Sequence, residues 1–95
     1  MGPSAIIKAD QNVVSTELGG GAALLNLETS RYFSLDEVGG FIWSQLDAPK
    51  TLRQLIDAVA ESFEVELDVC TADVTAFVES LRAASLVEVA DEGVA

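Results

Sequence analysis

The side chains able to do covalent chemistry are few here, and they are poorly placed for it. The chain holds no histidine, which removes the commonest general base and the commonest neutral metal ligand. A Ser-His or Cys-His nucleophile therefore cannot be assembled. Cys70 is the only cysteine, so an intrachain disulfide and a thiolate metal cluster are both excluded. It falls on the apolar stripe of a predicted helix, in step with Val74, where a small buried hydrophobe is the plain reading. Its place near the start of that helix leaves a reactive thiol as the alternative.

Carboxylates are plentiful, at Asp36-Glu37, at Glu64, Glu66 and Asp68, and at Asp91-Glu92. The first pair lies where a helix N-terminus favours negative charge. The second group lacks the glycine and the spacing of a calcium loop. Solvated charge explains them better than acid/base work. Gly19-Gly20-Gly21 lacks the Gly-Lys-Ser/Thr ending of a phosphate loop and leads into a strand, so it reads as a hairpin turn. No cofactor and no metal is implied, and no enzyme activity is expected.

The bulk numbers narrow the partners. With 16 acidic and 5 basic residues the formal net charge is -11, which repels phosphates and anionic lipids and favours neutral or basic partners. A length of 95 residues and an apolar fraction of 49% fit one folded domain over residues 1–95. No uncharged stretch approaches the roughly 18 residues of a membrane span, and Met1-Gly2-Pro3-Ser4 does not open a secretory signal. The cytoplasm is the expected location, and neither membrane nor nucleic acid is an expected partner.

Two periodicities divide the chain. Ile6-Ile7, then Val13 to Thr16, Ala22 to Leu27 and Arg31 to Leu35 read as short strands of an antiparallel meander. In the last, Tyr32 and Ser34 point to one face while Phe33 and Leu35 point to the other. From residue 36 the spacing is helical. Ser34 or Asp36 can cap a first helix, Ser34 with Glu37 making a capping-box pattern, and Pro49 stops that helix. Thr51 with Gln54 caps a second, with Leu52, Leu55, Ile56, Val59, Ala60 and Phe63 on one face. A third starts near Asp68 and carries Cys70, Val74, Phe77, Val78 and Leu81. Leu86 to Val89 alternates like a strand, and the tail from Asp91 to Ala95 reads as loose. The expected fold class is α+β: a three-stranded antiparallel sheet followed by three helices, winged helix-turn-helix-like.

Such an architecture invites a DNA-binding reading, but the third helix holds one cation, Arg82. Strong, salt-dependent DNA binding uses on the order of 6–10 phosphate contacts. A peptide-binding module fits better, because the strand Arg31–Leu35 ends the meander and one of its edges is left unpaired.

The stretch RYFSLDEVGGFIWSQLDAPKTLRQLIDAVAESFEVELDVCTADVTAFVESLRAASLVEV resembles the PqqD-like family, the recognition elements for precursor peptides of ribosomally made, post-translationally modified products (RiPPs). The resemblance lies in the aromatic strand before Leu35-Asp36-Glu37-Val38-Gly39 and in Ile42-Trp43 before Leu46-Asp47. It continues with Thr51-Leu52 and with Asp73-Val74, Phe77 and Leu81, so that it spans about residues 13–89. It implies that the leader of a precursor peptide adds to the third strand and lies against the third helix. Carried over, the binding residues are Arg31, Tyr32, Phe33, Ser34 and Leu35 on the strand, with Val74, Thr75, Val78 and Arg82 on the helix. Phe33, Leu35 and Val78 can equally be core, Tyr32 a support, and Arg82 half of a surface ion pair.

The implied partners are a precursor peptide and a modifying enzyme such as a leader protease. The Pro-Glu pair that ends the second strand in quinone-pathway members is missing from Leu24 to Phe33, so the lasso-peptide type is favoured. The alternative function is a winged-helix regulator acting through DNA or a transcription partner.

Overall fold

The computed structural model describes residues 2–90, apart from the side chain of Leu18; the tail expected to be loose lies outside them. The elements follow the order β1 (Ile6–Ala9), β2 (Val13–Leu18), β3 (Gly21–Asn26), β4 (Arg31–Leu35), α1 (Glu37–Ser44), β5 (Lys50–Thr51), α2 (Leu52–Phe63), α3 (Leu67–Ala83) and β6 (Val87–Ala90). This is the expected α+β class with three helices.

β2, β3 and β4 form an antiparallel sheet in that order. Gly19 and Gly20 make the two-residue turn between β2 and β3 with φ of 37° and 95°, a geometry that glycine reaches without steric cost. Ile6-Ile7 does not join this meander. Asp10 accepts a backbone bond from Val13 and donates one to Leu86, which turns the chain away, and β1 pairs antiparallel with β5 and β6 in a second small sheet. That sheet ties the first strand to the last, a pairing that local periodicity does not announce.

The helix caps follow the chemistry of the sequence with one exception. Thr51 and Gln54 form the reciprocal capping box, with bonds of 2.8 and 3.1 Å. At α1 the cap is Asp36, whose carboxylate accepts from the Gly39 amide at 2.8 Å; Ser34 stays in β4, paired with Ala23. The core joins Ile7 and Leu24 to Ile42, Leu55, Ile56, Val59, Val74, Val78, Leu81 and Leu86. Gly40 lets α1 sit on β3, since a Cβ there would come within 3.1 Å of the Gly21 carbonyl carbon.

Candidate functional site

Two ties fix how β4 lies relative to α3. Asn26 is 2% exposed and lies opposite Arg31 in the sheet. Its Oδ1 accepts from the amides of Glu28 and Thr29 at 2.9 and 3.1 Å, shaping the turn into β4. Its Nδ2 donates to the Ser85 carbonyl at 2.9 Å, just beyond the end of α3. At the other end of β4, a Cβ on Gly39 would come within 3.1 Å of the Phe77 ring. The strand thus runs beside α3 in the opposite sense. Five strand residues span about 13 Å, matching the last eight residues up to Ala84, which rise about 12 Å, so β4 is as long as the C-terminal half of α3.

Among the described residues the outer edge of β4 is unpaired: β4 pairs with β3 alone, and β6 pairs with β1 rather than with β4. Along the strand Phe33 and Leu35 are half-buried against the core, while Tyr32 is 64% exposed. Phe33 lies opposite Leu24, and Tyr32 opposite Leu25 on the outer face. The Arg31 guanidinium stands 5.6 Å from the centre of the Phe33 ring, a cation–π contact that holds the strand's first side chain over its third. Strand backbone, aromatic faces and an unpaired edge lie together here.

The helix wall differs from the one expected. Val74 and Val78 are 2% and 0% exposed, so both are core residues; Val74 reaches the wall of the cavity beside Phe77, and Val78 does not. Thr75 lies on the far flank, lining a cavity of about 290 Å³ with Pro3, Leu52, Arg53, Ile56, Leu67 and Thr71. Arg82, seven residues on, shares that flank by helical spacing; it is exposed and forms no ion pair among the described residues. The flank toward β4 carries Asp73, Phe77, Ser80 and Ala84, at i, i+4, i+7 and i+11. Phe77 and Asp73 line a cavity of about 310 Å³ with Asp36, Val38, Gly39 and Val65, at the Leu35 end of the strand. A 3.6-residue period marks the core face but is symmetric about it, so which flank meets β4 rested on Asn26 and Gly39.

Cys70 forms part of the floor of that cavity. Its Sγ donates to the Ile56 carbonyl at 3.3 Å. Burial, with the negative charge of Asp73 adding to it, raises the thiol above its ordinary value of 9.0, so it is neutral and unreactive at physiological pH.

Residues 21–87, from the glycine turn to the last strand, match the family described as coenzyme PQQ synthesis protein D. The chain belongs to the PqqD family. Solved structures share its fold. TbiB1 in complex with the TbiA(beta) leader peptide is 33% identical, with 85% of this chain and 94% of that one covered and a TM-score of 0.80. A lasso peptide synthetase B1 complexed with its leader peptide superimposes with a TM-score of 0.74 at 19% identity, over 86% and 96% of the two chains. The PqqD truncation of Methylobacterium extorquens PqqCD, a stand-alone RiPP recognition element, gives 0.71 at 18% identity, over 87% and 88%. No curated protein matches the chain in sequence. Among the described residues no helix is long and apolar enough to cross a membrane.

Proposed function

We propose that this PqqD-family chain binds the leader of a ribosomally made precursor peptide as an added strand on β4, and hands it without turnover to a modifying enzyme such as a leader protease. The observation that carries the proposal is the unpaired β4 edge beside α3, in a chain 33% identical to one solved with a leader peptide bound. Backbone pairing along Arg31–Leu35 supplies affinity, and side-chain pockets supply choice of sequence. Tyr32 and Arg31 are reachable from solvent, and the cavity at Phe77 and Val38 offers room for an apolar leader side chain. Thr75 and Arg82 stand apart from this groove and are expected to contribute little.

The lasso-peptide type is the favoured pathway, supported by the missing Pro-Glu pair and in keeping with the fold shared with a lasso peptide synthetase B1. A cytoplasmic location and a single domain complete the reading. The DNA-binding alternative draws no support from an α3 whose one cation is Arg82.

The test is fluorescence anisotropy with a labelled leader from a precursor encoded beside this chain, together with amide shifts in NMR. Saturable binding that moves amides 31–35 is expected. Binding that leaves those amides still, or that survives Ser34→Pro in a folded variant, would remove strand addition.

A further inference from the structure

The sheet has a second unpaired edge among the described residues. β2 pairs there with β3 alone, and it borders a cavity of about 750 Å³ between the strand and α1. Ser15 and Glu17 lie opposite the buried Leu24 and Ala22, so they point to the core side of the sheet, yet both are exposed because no element covers that row. Across the gap stand the half-buried rings of Phe41, Trp43 and Phe63, with Phe41 and Phe63 edge-to-face at 5.3 Å. Glu17 and Glu37 line the groove and no lysine or arginine does.

We propose that this groove docks an extended, cationic segment of a partner protein, independently of the peptide on β4. Three complementary features identify the occupant. The open edge of β2 offers backbone pairing to an extended chain. The two carboxylates attract positive side chains, within the field of a chain of net charge -11. The aromatic rings suit both the aliphatic stems and the charged heads of lysine and arginine. A second copy of this chain fits poorly: residues 13–26 hold no lysine or arginine, so a second β2 edge brings no cation to Glu17. The occupant is not the leader, and the inference does not depend on what β4 binds.

The test uses the full chain and a seven-residue capped peptide of alternating arginine and valine, with a glutamate-for-arginine counterpart as control. Trp43 is the only tryptophan, so its emission reports on the groove directly, and NMR amide shifts locate the contact. The expected result is a saturable change in Trp43 emission with shifts at residues 15–17 and 40–44. It should weaken at least tenfold in Glu17→Lys, an exposed position where a thermal melt checks that the variant is folded, and persist when leader saturates β4. The inference is overturned by no saturable change, by equal binding of the glutamate peptide, by shifts confined to 31–35, or by retained affinity in Glu17→Lys. Sedimentation showing a dimer held through β2 amides would also overturn it, in favour of a second copy.

Discussion

The two edges of the β2-β3-β4 sheet are alike in backbone and different in surroundings. β4 runs beside α3 and is followed directly by α1, with a cavity of about 310 Å³ at its Leu35 end. β2 borders a cavity of about 750 Å³ lined by aromatic rings and two glutamates. An exposed strand edge is a general liability; a neighbour that restricts which chain can pair turns it into a selective site. The lesson is that strand pairing gives each edge its grip, while the flanking helix decides what each edge grips.

The largest effect should come from Asn26, which serves one edge only. Asn26→Ala removes bonds to two amides and the Ser85 carbonyl and should cost about 3 kcal/mol of stability, at about 1 kcal/mol net for each bond. Denaturant melts measure this, and the surviving folded protein should bind leader more weakly while Trp43 still responds to the cationic peptide. Loss of both responses together would mean that the two edges are one cooperative unit.

Next in size is the backbone. Ser34→Pro should weaken leader binding by about tenfold or more, since proline cannot donate to an added strand and about 1.4 kcal/mol is a factor of ten. Glu17→Lys on the opposite edge should leave leader affinity within about twofold. Anisotropy on both variants decides whether the edges are separable.

The two flanks of α3 give a finer comparison. Phe77→Ala should lower leader affinity several-fold by removing a ring from the cavity wall, about 1 kcal/mol or more of lost apolar contact, whereas Thr75→Ala should change it by less than twofold. The reverse order would move the groove to the Thr75 flank.

The smallest effect concerns pH. The folded Cys70 thiol titrates above its unfolded value, so native protein holds its proton longer than unfolded chain does. The stability this contributes is fully present below the unfolded value near 9, and it is lost as pH rises from there through the folded value. Melts from pH 7 to 10 should fall more steeply for the parent than for Cys70→Ala. Parallel curves would mean that the thiol is not held in the cavity floor.

Local rules carried a large part of this structure. The glycine turn, the Thr51-Gln54 box, the stop at Pro49 and the apolar faces of α2 and α3 each depend on residues a few positions apart, and the alternation in Arg31–Leu35 placed Phe33 inward and Tyr32 outward. The lack of histidine and the charge of -11 pointed the expectation toward a binding role. Tertiary structure decided what depends on residues far apart in the chain: the sheet that joins β1 to β6, the choice of Asp36 over Ser34 as cap, the burial of Val78, and the flank of α3 that meets β4. That last choice hangs on a bond between Asn26 and Ser85, 59 positions apart. Periodicity reports which face of a helix is apolar, and it is silent about which neighbour lies to either side.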